Sequence, residues 1–335
     1  MAISNDILSS TLRLLKDDAV DNLHRTTPII SDLEKVGGIE EVDGGQKYDH
    51  PVILAEHSAI SQMATGYEPV SLSTTDAMRT ASYEWCDFVA PIVITRKEEL
   101  SNKGPRAIVK IAEARMKSVF GALKREAAKQ LIAGSSTILT ELQTLNGFDA
   151  ATGWFEELAF GSQTNTVGGI AKASYPTAWQ NQVATASGAF ATNGLRAMSR
   201  LMIQGQTYAP EGDVKLVLAS PTSYELYKDT LQTQERYMAA TEQRLDAGKL
   251  VLAYNGAAMS IDPNLGFTAS AGTIVSMYFL NPDLLKLVYD KDAKYEMSDF
   301  EFVSGFNSRA AQVQVRLQMV ASHLASHGAL LNAEA

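Results

Sequence analysis

The segment from Gly44 to Trp85 constrains the fold most, because it is extended but short of the apolar residues that a core requires. QKYDHPVILAEH is typical of a strand, and Pro51 makes that strand an edge or irregular one. TASYEWCDFVAPIVIT indicates a second, longer strand, and the residues between the two are mostly small or polar. A two-stranded ribbon alone is marginal in water. This hairpin therefore needs stabilisation from outside itself.

A very long helix is predicted after the hairpin. Thr95 and Glu98 form a capping-box pattern for a short helix. Pro105 then begins a longer helix over 105–133, and Gly134 lies just past its end. At about 1.5 Å per residue, this helix would be roughly 40 Å long. Its apolar face recurs at spacings of three and four and consists of Ile108, Ile111, Ala112, Met116, Val119, Phe120 and Leu123.

The rest of the chain mixes helix and strand patterns, which predicts an α+β fold class. TNGLRAMSRLMIQG is expected to be a helix that stops at Gly205, and DVKLVLAS a buried strand. Ser220-Pro221 begins the next helix, and Asn255-Gly256 is a strong hairpin signal. AQVQVRLQMV alternates apolar and polar residues, which predicts a strand with one buried face.

Composition indicates a folded, acidic protein. Of the 335 residues, 45% are hydrophobic and 20% charged, and the formal net charge is -9. This balance opposes tight binding to phosphate backbones. The single cysteine, Cys86, fits a reducing compartment, and its acidic and aromatic neighbours favour a buried structural thiol. No apolar run approaches the ~20 residues of a membrane span.

Motifs for catalysis are missing from the sequence. It has neither a phosphate-binding glycine loop nor a nucleophile elbow, and a single cysteine excludes a thiolate zinc site. His323 and His327 are spaced like metal ligands on a helix, but solvated or interface histidines are the better interpretation. Glu98 and Glu99 lack an evident catalytic partner. We therefore predict no enzyme activity, no cofactor, and no catalytic, cofactor-binding or metal residues.

The order of these elements resembles the major capsid (coat) proteins of tailed bacteriophages, whose Hong Kong 97-type fold is shared by encapsulins and the herpesvirus capsid floor. Three stretches after the long helix look like a recurring sequence of phage coat proteins: LNG (Leu145–Gly147), TVGGI (Thr166–Ile170) and YPTAWQN (Tyr175–Asn181). In chain order, the resemblance implies an N-terminal arm (1–40), an extended loop (41–94), a peripheral domain (95–192) with a spine helix (105–133), an axial domain (193–290), and return strands of the peripheral domain (291–335). KYEMSDFEFV and AQVQVRLQMV would be these return strands.

The resemblance also implies a function. The chain would self-assemble, through hexamers and pentamers, into the icosahedral shell that encloses a phage genome; it would be assembled in the host cytoplasm and located in the virion. The extended loop would lie across a neighbouring subunit, with Met63, Tyr67 and Leu72 as candidate intersubunit contacts. Portal and scaffolding or decoration proteins are implied as partners, and double-stranded DNA would be enclosed without sequence-specific contacts.

Two other interpretations stay open at this point. An encapsulin-type cellular compartment would have the same fold and would need a groove for a cargo peptide. A soluble two-domain enzyme or ligand-binding protein would be a monomer or small oligomer, with a polar pocket formed by the mixed helix and strand region from Asn193 to Asp290. Large shells are expected from the capsid protein and from the encapsulin, and not from the soluble enzyme or ligand-binding protein.

Overall fold

The computed structural model describes most of the chain. The described residues are 28–57, 59–60, 62–63, 66–67, 76–101, 105–133, 144–145, 154–186, 188–232, 243–244, 250–266 and 273–333. These parts of the sequence predictions lie outside the described residues: most of the N-terminal arm (1–27), Leu72, and Asn146-Gly147 of the LNG stretch. Helices and strands are mixed through the described chain, which confirms the α+β class.

The predicted long helix is present. The described α-helices are α1 (Pro28–Lys35), α2 (Arg96–Ser101), α3 (Pro105–Ala133), α4 (Leu195–Tyr208) and α5 (Pro221–Gln232). On α3, Met116, Val119 and Phe120 are partly buried against the core and Leu123 is buried, as the apolar spacing predicts. The expected end of α4 at Gly205 is wrong. An added Cβ there would lie 2.8 Å from Cγ2 of Val214, so the glycine permits close packing inside a continuing helix.

Within the described residues, the strands form two six-stranded sheets and three two-stranded pairs. They are β1 (Ile39–Val42), β2 (Lys47–Ile53), β3 (Met78–Glu84), β4 (Cys86–Thr95), β5 (Thr166–Val167), β6 (Ile170–Ala171), β7 (Gln182–Thr185), β8 (Leu216–Ala219), β9 (Gln243–Arg244), β10 (Leu250–Val251), β11 (Ala253–Tyr254), β12 (Ala257–Ile261), β13 (Val275–Leu280), β14 (Leu285–Asp290), β15 (Glu296–Met297), β16 (Glu301–Phe302), β17 (Ser308–Ala321) and β18 (Gly328–Leu331).

The first sheet is organised around β17. This strand pairs with β4 along one edge and with β16, β15 and β14 in turn along the other, and β1 adds to β14 in parallel. The alternation predicted for β17 is confirmed as far as Leu317, since Val313, Val315 and Leu317 are fully buried while Gln312 and Gln314 are exposed. It is wrong at Gln318, which was predicted on the wet face but is fully buried, with its Nε2 donating to the carbonyl oxygen of Glu84. KYEMSDFEFV forms the two short strands β15 and β16 instead of one. Between them, Oγ of Ser298 accepts a hydrogen bond from the backbone N–H of Gln312 at 2.9 Å, and this interrupts the regular ladder.

The second sheet has the strand order β11-β12-β8-β13-β18-β7, so β11 and β7 are its edges. Helix α4 packs over β7 and β18, and Tyr227 of α5 packs its ring against Tyr254 of β11. The sheets do not follow continuous stretches of chain. Strands β7 and β18 lie outside 193–290 but belong to this sheet, whereas β14 lies inside that range and belongs to the first sheet. The division into peripheral and axial domains stays a prediction.

The two C-terminal histidines do not lie on a helix. They flank a turn between β17 and β18, and β18 is an inner strand of the second sheet. The expectation of a solvated or interface histidine is wrong for His327, which is fully buried. Its Nδ1 accepts a hydrogen bond from the backbone N–H of Asn281 at 3.1 Å, and burial lowers the pKa of His327 to about 3. Cys86 is buried, as predicted.

Candidate intersubunit surface and its buried anchor

The extended hairpin is formed by β2 and β3, which pair in antiparallel register from Lys47 opposite Glu84 to Ile53 opposite Met78. Its base is not without a core. One face of the ribbon contributes Val52, Leu54, Ala81 and Tyr83 to the main hydrophobic cluster of the same chain. The expectation that the whole hairpin depends on a neighbour is therefore wrong for the base, because alternation places every second side chain against the subunit's own core.

The TVGGI stretch supports this base directly. It forms the small β5–β6 hairpin, with Gly168 and Gly169 in its turn. The carbonyl oxygen of Gly168 accepts a hydrogen bond from the backbone N–H of Ser82 at 3.0 Å. Gly168 has φ +57, and an added Cβ would lie 3.0 Å from Cβ of Ala81. A glycine is thus required here both by the backbone conformation and by the closeness of the extended hairpin.

Tyr83 also fixes the hairpin base to the first sheet. Its buried hydroxyl donates a hydrogen bond of 2.9 Å to the carbonyl oxygen of Ala321 in β17. Burial raises the pKa of this phenol above its usual range. The hydroxyl therefore stays protonated and remains a donor over the whole physiological pH range.

Beneath β5–β6 lies a set of buried polar and aromatic residues that we call the buried anchor: Gln163, Lys172, Trp179, Gln180 and Asn181. Nζ of Lys172 is wholly buried and donates hydrogen bonds to the carbonyl oxygen of Trp154, to Oε1 of Gln163 at 3.2 Å and to Oδ1 of Asn181 at 2.9 Å. Three acceptors match the three N–H groups of an ammonium ion. Desolvation lowers the pKa of Lys172 to about 7, and the Glu156 carboxylate opposes this shift.

The YPTAWQN stretch connects the buried anchor to its surroundings. Nε1 of Trp179 donates to the carbonyl oxygen of Val167 in β5 at 3.2 Å, and Nε2 of Gln180 donates to that of Lys172 at 3.0 Å. The next residue, Gln182, begins β7 of the second sheet, and its backbone N–H donates to the carbonyl oxygen of His327 at 2.9 Å. The buried anchor thus joins the support of the hairpin to the edge of the second sheet.

Of the LNG stretch, Leu145 is described and is fully buried. Its backbone N–H donates to the carbonyl oxygen of Leu131 in α3 at 2.8 Å. From the sequence alone, LNG, TVGGI and YPTAWQN indicated only a resemblance to phage coat proteins, and their structural roles were not predicted. Lys172 was missed, because a single lysine among small residues carries no signal of burial.

The far part of the hairpin is different, because it exposes large apolar side chains. Ile53 is 73% exposed, Ile60 85%, Met63 46%, Tyr67 99% and Met78 60%. We call these five the outer hairpin residues. Met63 and Tyr67 were predicted as contacts and are accessible for that role, whereas Leu72 lies outside the described residues. Ile53, Ile60 and Met78 were missed. For Ile53, the apolar run PVIL does not show which of its residues points away from the core, and Ile60 and Met78 are single apolar residues among small and polar ones.

Other exposed apolar groups lie on the first sheet. Val89 and Val93 are on the outer face of β4, where they alternate with buried residues. Phe302 and Phe306 are exposed at the β16–β17 end of the sheet, and the Arg309 guanidinium lies 4.4 Å from the centre of the Phe302 ring. These residues offer apolar area that another subunit could cover.

Glu98 ties the long helix to β4. Its carboxylate accepts hydrogen bonds from the backbone N–H and the hydroxyl of Thr95, at 3.1 and 2.9 Å, so the predicted capping role of Glu98 is confirmed. It also binds the guanidinium of Arg115 on α3, whose Nη1 donates to the carbonyl oxygen of Val93 at 2.7 Å. The hydrogen bond from Arg115, followed by those from Thr95, lowers the pKa of Glu98 to about 2.

Within the described ranges, no three or more His, Cys, Asp or Glu side chains are grouped as a metal site would need. No helix in the described part of the chain is long and apolar enough to cross a membrane.

Comparison with known proteins assigns the fold. No protein-family model and no curated protein matches the sequence. Solved structures do match, over nearly their whole length. The capsid of Myoviridae phage XM1 is similar with a TM-score of 0.58 at 9% identity, covering 99% of each chain. The cyanophage A-1(L) capsid has a TM-score of 0.57 at 16% identity, covering 95% of this chain and 96% of its own.

A third similar structure is an encapsulin complex from Synechococcus elongatus, with a TM-score of 0.56 at 11% identity, covering 98% of this chain and 95% of the encapsulin. At such low identities, the likeness that these structures establish is one of fold. The chain therefore has the Hong Kong 97-type fold common to these capsid and encapsulin subunits, as the order of its sequence elements predicts.

Proposed function

We propose that this chain is the major capsid protein of a tailed bacteriophage and that its copies assemble into the icosahedral shell around the genome. Its role is structural and involves no turnover. The observation that carries the proposal is the hairpin: its base is fixed to its own subunit, while its outer residues present apolar groups to solvent. In a shell, a neighbouring subunit would cover these groups. Their burial would stabilise the contact by about 25 cal/mol of free energy per Å² of apolar surface removed from water.

The contacts follow from this arrangement. The outer hairpin residues, including the predicted Met63 and Tyr67, would pack on exposed apolar groups of a neighbour such as Val89 and Val93. One surface meeting a different surface on the next copy is a heterologous contact, and such contacts close into rings when the rotation between copies allows it. Repeated weak contacts then stabilise the shell. Leu72 is retained as a third proposed contact on the basis of the sequence.

The remaining partners are proposed from the fold and the charge. A net charge of -9 suits a container that encloses DNA without adhering to it. Portal and scaffolding or decoration proteins would complete the particle. Assembly would occur in the host cytoplasm, and the assembled protein would reside in the virion capsid.

Electron microscopy of the full chain, expressed alone and with phage assembly factors, tests this function. We expect shells, aberrant shells or rings of subunits. Uniform small particles under all of these conditions would overturn the proposal and favour a soluble ligand-binding protein or enzyme.

Variants sharpen the test. Ile60→Ser with Tyr67→Ser should reduce assembly by about tenfold or more, because the two side chains would lose their cover in the shell. The matched control is Leu158→Ser, which replaces a 47% exposed apolar side chain outside the hairpin. Both variants should remain folded as subunits. Equal assembly of the two variants would show that the outer hairpin residues do not take part in the contact between subunits.

A cellular compartment is the second candidate, because an encapsulin is among the similar structures. Particles isolated from the native source distinguish the two. Nuclease-protected DNA inside the shell is expected for the capsid, and a protein cargo for the compartment.

A further inference from the structure

A groove of about 710 Å³ lies beside the edge strand β7. It is lined by Thr185 of β7 and by a row of α4 side chains that includes Arg196, Arg200, Ile203 and Gln204. We call it the basic groove. Both arginines are exposed, and neither has an ion pair or hydrogen bond among the described residues. Ile203 is also exposed, and Oε1 of Gln204 lacks a hydrogen-bond partner in the described structure.

The opposite edge of the same sheet has the complementary charge. The hydroxyl of Tyr227 donates to the carbonyl oxygen of Ala253 in β11 at 3.5 Å, so α5 lies at the β11 edge. The outer side of α5 carries Glu225 and Asp229 one helical turn apart, both exposed and without an ion pair to any described residue. Lys228 is exposed on the same side, so the two carboxylates and one ammonium group give this side a net negative charge. We call Glu225 and Asp229 the acidic face.

We propose that the acidic face of one copy of this chain docks in the basic groove of the next copy, edge to edge around a ring. The inference rests on the proposed shell function, which requires each subunit to present two different surfaces that match across a closed ring. The groove beside β7 and the outer side of α5 at the β11 edge are two such surfaces, and α5 also contacts the segment Phe190–Gly194 that leads into α4. Arginine guanidinium groups bind carboxylates in bidentate geometry, and complementary charges fix the register of such contacts.

The choice of a second copy as occupant follows from charge. The chain has 38 acidic and 29 basic residues, so two exposed arginines that have no carboxylate partner among the described residues contrast with its acidic composition. Carboxylates spaced by one turn on α5 match guanidinium groups spaced by one turn on α4. An assembly of identical chains supplies this partner at every position in the ring.

Charge reversal tests the contact in the full chain. The variant Arg196→Glu with Arg200→Glu has carboxylates on both surfaces, and Glu225→Lys with Asp229→Lys has cations on both. Each should lower the yield of rings and shells by about tenfold or more, because like charges would meet across every contact. All four positions are exposed, so circular dichroism and the thermal midpoint of the subunits should be unchanged. Combining the four substitutions in one chain should restore assembly.

Mixing the two double variants gives a result that only edge-to-edge pairing predicts. Each contact is favourable when the variants alternate around a ring, because carboxylates then meet cations at one junction and native groups pair at the next. Strict alternation is possible in a ring of six and impossible in a ring of five. Co-expression should therefore restore hexamers or sheets and tubes of hexamers, but not closed icosahedral shells.

Each outcome is decisive. If the unaltered chain forms no rings or shells with assembly factors present, the proposed function fails and this contact fails with it. If the unaltered chain forms shells and both double variants do so equally well, the function stands and the contact is wrong. The contact is also wrong if the double variants fail to assemble and neither mixing nor the fourfold variant rescues them.

Discussion

The two ends of the extended hairpin differ in how they treat polar and apolar groups. In the buried anchor that supports the base, Lys172 is wholly buried and its Nζ has three hydrogen-bond acceptors. At the far end, Tyr67 is 99% exposed although it is a large aromatic residue. Each arrangement reverses the usual preference, since lysine is rarely buried and contiguous exposed apolar groups usually mark an interaction site.

This difference separates two tasks. Burial at the base provides rigidity within one subunit, because a fully satisfied polar network fixes one arrangement of the chain around it. Exposure at the far end supplies no stability to the isolated subunit and leaves apolar area for a neighbour. Substitutions at the base should therefore change folding, and substitutions at the far end should change assembly.

The largest effect is expected from Lys172→Met. The side-chain oxygens of Gln163 and Asn181 would lose their donor while remaining buried, so the free energy of unfolding should fall by about 3–5 kcal/mol. The matched control is Lys215→Met, which removes a half-exposed ion pair with Asp283 at 2.6 Å and should cost about 1 kcal/mol or less. Urea denaturation of unassembled subunits measures both. Similar losses in the two variants would contradict the role of the buried anchor.

The same variant has a signature in its pH dependence. Burial lowers the pKa of Lys172 from 10.5 to about 7, so the unfolded state binds more protons than the folded state between these values. Stability from this group must then increase as the pH rises through that window. The difference in stability between the unaltered chain and Lys172→Met should therefore grow from pH 7 towards pH 10.

Two adjacent residues of β2 separate the effect on folding from the effect on assembly, because their side chains point in opposite directions. Val52 is 6% exposed and Ile53 is 73% exposed. Val52→Ala should lower the unfolding free energy of the isolated subunit by about 2 kcal/mol through lost burial and a cavity. Ile53→Ala should change it by less than about 0.5 kcal/mol but reduce the yield of shells. Denaturation and electron microscopy of the same preparations check both. If Ile53→Ala destabilised the subunit as much as Val52→Ala, the division of tasks would be wrong.

These positions also show what the sequence could predict. The strict alternation of β17 and the three-and-four spacing of α3 are long regular patterns, and both elements were predicted correctly. The inward or outward direction of Ile53 was not predictable, because PVIL is apolar throughout and its direction depends on how Val52 and Leu54 pack into the core of the folded subunit. Lys172 was not predictable either, since its acceptors lie at Trp154, Gln163 and Asn181 and meet only in the folded chain. Such patterns therefore reveal regular elements but not buried polar contacts.

A smaller effect is expected at the support of the hairpin. Gly168 and Gly169 both have positive φ, of +57 and +77, but only Gly168 faces the hairpin, since nothing lies within 4 Å of a Cβ added at Gly169. Gly169→Ala should cost about 1 kcal/mol of backbone strain. Gly168→Ala should cost about 1 kcal/mol more, because its Cβ would press on Ala81 and Tyr83. Equal thermal midpoints for the two variants would show that the β5–β6 turn does not support the hairpin.

The smallest effect is expected at Glu98, which is partly exposed to solvent but has its pKa lowered to about 2 by Arg115 and Thr95. The unfolded state binds more protons than the folded state between about pH 4.5 and pH 2, so the contribution of Glu98 is present above this window and is lost as the pH falls through it. Glu98→Gln should therefore lower the thermal midpoint slightly at pH 6 and not at all near pH 2. In an Arg115→Met background, the same substitution should have less effect at pH 6, because the strongest partner of the carboxylate is already gone. A pH-independent difference, or one unchanged by Arg115→Met, would mean that Glu98 acts only as a helix cap and does not join α3 to β4.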